Sequence, residues 1–138
     1  MAAAALTPRV RVMVVCDRIR PSRIEDGVFD LRGVRNHVSA SSFPFLPRRL
    51  WLYLLLSSRR KGRYPGYVLV IDDQNDKIIF HRKINPVFQE EFEFLPVPVS
   101  LSCEFPRPGR YTVQVCFFQQ KTADVVKAEI PFAVLEEA

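Results

Sequence analysis

The chain is poor in the residues that most often carry chemistry. Its 138 residues include two histidines, one tryptophan, five glycines and three cysteines. There is no Cys-x-x-Cys pair and no Cys/His cluster, which argues against a zinc site. Cys16, Cys103 and Cys116 are odd in number and far apart. They read as small buried residues of a reducing compartment, and a disulfide framework does not fit them. Gly62 and Gly66 flank a basic segment but lack the spacing and the following helix of a phosphate loop. No run approaches the ~18 apolar residues of a membrane span. Met1 to Leu6 has no basic start, and Arg9 and Arg11 interrupt the apolar positions that follow, unlike an export signal. These absences set the expectation of a cytoplasmic protein without membrane contact, cofactor or metal.

What the chain does have is eleven prolines, eleven phenylalanines and a 48% hydrophobic fraction, suited to one all-β domain with proline-punctuated turns. The clearest segment is Arg110–Phe118, launched by Pro106-Arg107-Pro108-Gly109, with Tyr111, Val113, Val115 and Phe117 at period two. Val10, Val12, Val14 and Cys16 alternate in the same way along a first strand, and Gly27–Val34 forms a second. Asn36–Pro47 reads as a surface connection. Leu50–Leu56 reads as a strand buried on both faces. Tyr64–Ile71 and Lys77–Ile84 make a hairpin around Asp72–Asp76. Phe92–Phe105 is extended, with Val97, Val99, Leu101, Cys103 and Phe105 on one face, and Pro96 and Pro98 mark an edge. A turn around Gln119–Ala123 leads to a last strand carrying Val126, Ala128, Ile130, Phe132 and Val134, with Pro131 marking a second edge. Arg110–Phe118 is expected to be central, between the Phe92–Phe105 run and that last strand. The fold expected is a single antiparallel β-sandwich of about eight strands over residues 9–135, behind a disordered lead-in of residues 1–8 and before a solvated tail at 136–138. A closed β-barrel is the alternative.

Charge is unevenly spread. Through Gly66 there are thirteen Lys/Arg against four Asp/Glu, and beyond it seven against eleven. Such asymmetry permits an anionic partner or a head-to-tail self-contact, although a sandwich would mix the two halves on one surface. The one concentrated basic segment, Arg59, Arg60, Lys61 and Arg63 followed by Tyr64, is the candidate binding site. Its cations could neutralise phosphates while Tyr64 or Tyr67 stacks on a base. A solvated basic loop has the same composition.

Asp72, Asp73, Asn75 and Asp76 invite a cation, yet Lys77 and Lys83 stand where an EF-hand needs Gly and Glu. A two-loop site completed by Asp17 or Asp124 is the remaining possibility beside a plain turn. His37, with Ser39, Ser41 and Ser42 nearby in sequence, and His81 have no nucleophile-elbow context, so no catalytic residue is assigned. Trp51 and Tyr53 project to one side of their strand. They form an aromatic platform if that side meets solvent and core if it does not, and the surrounding leucines favour core.

Val14-Val15-Cys16-Asp17, Gly27-Val28-Phe29-Asp30-Leu31-Arg32-Gly33-Val34, Phe43-Pro44 and Pro108-Gly109-Arg110-Tyr111 together resemble a family of small bacterial β-sandwich domains of unknown function. The resemblance spans nearly the whole chain through short hydrophobic motifs, and the loop before Gly27 is richer in arginine than the pattern. It implies a sandwich and carries no activity across. The function expected is a non-catalytic interaction module for a protein partner or for itself, pairing through edge strands. The alternative is a nucleic-acid or polyanion binder using the 59–63 loop.

Overall fold

Alternation builds strands throughout the chain, but bulges decide which face each residue takes. The computed structural model describes residues 7–118 and 125–137. Strands β1 (Arg9–Pro21), β2 (Phe29–Arg35), β4 (Trp51–Ser57) and β9 (Phe94–Ser100) form an antiparallel sheet in the order β2-β1-β4-β9. Strands β3 (His37–Ala40), β6 (Gly66–Asp72), β7 (Lys77–Ile84), β10 (Gly109–Phe117) and β11 (Val125–Glu136) form a second, in the order β3-β11-β10-β6-β7. Strands β5 (Gly62–Arg63) and β8 (Val87–Phe88) make a two-residue ladder beside them. Both large sheets are open at their edges, so the architecture is a β-sandwich and not a closed barrel.

The core lies between the two large sheets. Leu52, Leu54 and Leu56 of β4 meet Val68 and Val70 of β6, Tyr111, Val113, Val115 and Phe117 of β10, and Phe132 and Val134 of β11. Each such side chain contributes about 1.5–3 kcal/mol by leaving water. The odd positions of β10 are buried as their alternation requires, and so are Val99, Leu101, Cys103 and Phe105.

Several expectations are corrected. β10 is central, but its neighbours are β11 and β6. The Phe94–Ser100 strand lies in the opposite sheet, because residues 101–108 carry the chain across the sandwich. The presumed connection 36–47 contains β3, which pairs in parallel with Ala133–Glu136 of β11. Glu136 is therefore part of that ladder, and the Glu137 N–H donates to the Ala40 carbonyl. Pro8 is buried and Thr7 half-buried. Residues 1–6 and the expected turn at 119–123 lie outside the described residues.

Faces change too. The register between β1 and β4 shifts between Val10 and Val12, so Val10, Met13 and Val15 share the inward side of Leu56, Leu54 and Leu52. Val12, Val14 and Cys16 line up instead with Leu55, Tyr53 and Trp51 on the outer face. A second shift, between Val115 and Cys116, turns Val126 away from the core. Trp51 and Tyr53 are half-buried on the outer face of the four-stranded sheet, so β4 is not buried on both sides.

The β1–β2 hairpin closes over part of that face. Its register sets Phe29 opposite Pro21, while Tyr53 is opposite Val14, and that interval along β1 would span about 23 Å if straight. The Phe29 and Tyr53 rings nevertheless lie 6.1 Å apart. β1 must bend, and the bend accounts for Cys16 being sealed from solvent on an outward position. Asp17 and Arg35 join the two strands at 2.5 Å.

All three cysteines are free and buried. Burial, with the Glu104 charge adding to it, pushes the Cys103 thiol from an ordinary 9.0 up to about 12. Burial likewise raises Cys16 and Cys116. Between pH 9 and 12 the unfolded chain releases these protons and the folded chain keeps Cys103's. Stability is thus fully present below pH 9 and lost as pH rises toward 12, by up to about 1.4 kcal/mol per pH unit per thiol. Urea midpoints should be level between pH 7 and 8.5 and fall above pH 9, and Cys103→Ala should flatten the fall. An identical slope in that variant would remove Cys103 as its source.

Candidate functional site

The basic segment chosen from the sequence forms a turn held by its own hydrogen bonds. Ser58 Oγ donates to the Arg60 carbonyl at 2.8 Å and accepts from the Arg60 N–H at 3.3 Å, while Tyr64 Oη donates to the same carbonyl at 2.9 Å. These bonds fix the backbone of the turn. Arg60 and Lys61 are exposed on it, and Arg63 is exposed in β5 opposite Val87. Tyr64 packs edge-on against Phe88, ring centroids 5.8 Å apart. Tyr67 is buried on the outer face of the five-stranded sheet against His81 and Phe118. Of the two tyrosines expected beside the loop, Tyr64 is half-buried on the turn and Tyr67 is buried away from it.

Arg59 alone of the segment joins other cations. Register places Arg9, Ser57 and Phe94 side by side across β1, β4 and β9. At this end of the sheet a groove of about 340 Å³ is lined by Arg9, Arg11, Arg59, Phe92 and Phe94, with Ser57 and Ser58. Arg11 Nε donates to Ser57 Oγ at 2.8 Å, which fixes that guanidinium over the end of β4. Phe92 is 69% exposed and Phe94 62% exposed. Arg9, Arg11, Phe92 and Phe94 were not singled out in the sequence. The available signal was the run Glu90-Glu91-Phe92-Glu93-Phe94, in which two aromatics sit among acids that cannot be buried with them.

The other candidate groups have structural partners. Asp72 is buried and receives Arg107 Nη2 at 2.6 Å and the Gln74 N–H at 3.0 Å. Asp73 accepts from Thr112 Oγ1 at 2.7 Å. Asp76 adopts φ 58° in a turn closed by its N–H on the Asp72 carbonyl at 2.8 Å, a conformation Asp tolerates. His37 Nδ1 lies 2.8 Å from Asn36 Oδ1, and His81 rests against Tyr67.

No family model matches the chain, and no curated protein matches it. Among the described residues no helix is long and apolar enough to cross a membrane.

Proposed function

We propose that the chain is a non-catalytic interaction module that binds a protein partner, or a second copy of itself, through the Phe92–Phe94 end of the four-stranded sheet. Phe92 is the observation that carries this reading. It sits at φ 59°, a left-handed conformation that costs a bulky residue about 1–3 kcal/mol, and it holds its ring in water. A residue that is strained and exposed at once gains nothing for the isolated fold, whereas an aromatic anchor entering a partner's pocket repays both costs. Charges around it are mixed: Arg9, Arg11 and Arg59 line the groove, and Glu90, Glu91 and Glu93 flank Phe92 in the chain. That mixed pattern suits a protein rim.

Pairing through a strand edge is poorly supported. Pro96 and Pro98 oppose Leu55 and Tyr53 in an unbroken register, so the missing N–H groups are those facing away from β4. On the other sheet, β7 carries a bulge between Ile78 and Phe80 together with Lys77, Arg82 and Lys83, and β3 is four residues long. These three edges resist strand addition, and the fourth, β2, carries Arg32, Arg35 and the positive-φ Gly33 along its seven residues. The contact proposed is therefore made by side chains.

Asparagine tolerates φ near 60°, so Phe92→Asn should leave thermal stability unchanged or raised by up to about 1 kcal/mol. The same variant should lose the protein recovered with the wild type from native cells, or the concentration-dependent mass increase in sedimentation. Recovery of the same protein at the same yield by wild type and variant would overturn the reading.

A further inference from the structure

A second concentration of arginine lies at the opposite end of the four-stranded sheet, where no run of basic residues announces it. Arg18 and Arg20 come from β1, Arg32 from β2, and Arg48 and Arg49 from the loop before β4. Register sets Arg18 directly opposite Arg32. Arg18, Arg20, Arg48 and Arg49 line one groove of about 520 Å³ with Trp51 and Ser100. Arg20 first, then Arg49, with burial and Arg32 contributing further, lower the Arg18 pKa from its ordinary value, so these cations are within electrostatic reach of one another. Among the described residues the two ion pairs are Arg35–Asp17 and Arg107–Asp72, and none of the five arginines is in either. Asp17, the carboxylate lining the groove, is thus already engaged.

Like charges set opposite each other on a sheet oppose folding. None of the five arginines forms an ion pair among the described residues, although Asp30 stands opposite Arg20 in the ladder, so the cluster keeps charge to offer an anion from outside. Guanidinium forks match phosphate oxygens two at a time. Trp51 adds a flat apolar surface of the kind on which bases stack. Ser100 and Ser102 hydroxyls, 3.2 Å apart, add groups able to donate to or accept from a sugar. Across the floor the Leu101 N–H donates to the Leu50 carbonyl at 2.8 Å. The volume falls within the ~300–1,000 Å³ of small-ligand clefts.

We infer that this groove binds nucleotide phosphates, with Arg18, Arg20 and Arg49 holding the phosphate oxygens and Trp51 against the base. The ligand is a free nucleotide or the end of a single strand, which share this chemistry. The site is separate from the Phe92–Phe94 surface, and its failure or success leaves that proposal untouched.

Trp51 is the one tryptophan of the chain, so fluorescence excited at the red edge of its absorption, where the four tyrosines do not absorb, reports this groove alone. The full-length protein at about 50 mM salt would be titrated with adenosine triphosphate, inorganic triphosphate and a ten-nucleotide single-stranded RNA. Saturable quenching is expected with the nucleotide or the RNA, weakening steeply with added salt. Arg18→Ser with Arg49→Ser should lower affinity at least tenfold. Because repulsion is relieved, that double variant should fold at least as stably as the wild type, which circular dichroism checks. Phe92→Asn should bind unchanged. Nucleotide affinity at least equal to that of the RNA assigns the ligand to free nucleotides, and tighter binding of the RNA than of the nucleotide assigns it to a strand. No saturable change at Trp51 with either, affinity for inorganic triphosphate equal to that for the nucleotide, or unaltered affinity in the double variant would each overturn the inference.

Discussion

Gly66→Ala is expected to cost the fold about 3 kcal/mol or more, which is much of the 5–15 kcal/mol that holds a typical domain together. Gly66 opens β6 and is paired on both sides, with Phe117 of β10 and Ile84 of β7. A methyl group there would run into the Cys116 carbonyl oxygen and come within 2.7 Å of Phe117 Cδ1. The obstacle is backbone, held where β6 pairs with strands on both sides, and cannot turn aside as a long side chain would. Relief requires β6 and β10 to separate where Phe117 enters the core, so the cost falls at the upper end of overpacking effects. Gly27→Ala is the matching control. It lies at φ 77° in open space, so it carries only the conformational penalty of about 1 kcal/mol. Urea denaturation followed by circular dichroism distinguishes the two, and equal midpoints for Gly66→Ala and the wild type would show that the strands are not so closely apposed.

Arg107→Ala should destabilise by about 3 kcal/mol, for an electrostatic reason. Asp72 ends β6 and is 1% exposed. Its Oδ2 receives Arg107 Nη2 at 2.6 Å, its Oδ1 receives the Gln74 N–H, and Tyr111 Oη donates to the Arg107 carbonyl at 2.5 Å. One residue thus ties the Asp72–Asp76 turn, the crossover between sheets and β10 together. Removing the guanidinium leaves a carboxylate out of water with one neutral donor, the situation in which breaking a buried pair costs about 3–5 kcal/mol. Arg107 itself is 40% exposed, which places the expectation at the lower end. Asp72→Asn with Arg107→Ala together should cost less than the two single changes added, by about 1 kcal/mol or more. Strict additivity would mean the two groups do not act as a pair.

Much of the fold was legible because burial imposes period two on a strand with one wet face. Tyr111, Val113, Val115 and Phe117 could hardly be read otherwise, and the Asp72–Asp76 hairpin announced itself through turn residues. The bulge after Val10 was not legible. Arg11 fits the alternation perfectly well as an outward residue, and only pairing with Leu55 and Leu56 reveals that the count slips there. β3 escaped notice because a four-residue strand whose partner lies almost a hundred positions later leaves no local trace. The two proposed surfaces were hidden for the same reason. Arg59 stood out by having basic neighbours in sequence, yet its neighbours in space are Arg9 and Arg11. Arg18, Arg32 and Arg49 are separated by whole strands, and meet through a hairpin register that no local pattern encodes. Clustering along a chain and clustering on a surface are different quantities, and here they single out different residues.

The pairing of β3 with β11 also orders events during synthesis. Every strand of the four-stranded sheet has been made once Ser100 is added, whereas the five-stranded sheet waits for β10 and then β11. Until both emerge from the ribosome, Leu52, Leu54 and Leu56 have no opposing layer beyond the β6–β7 hairpin, and β3 has no partner at all. A nascent chain paused between Ser100 and Val125 therefore exposes a leucine-lined surface of the kind that general chaperones hold. The last dozen residues of β11 both cover that surface and fasten the earliest part of the five-stranded sheet.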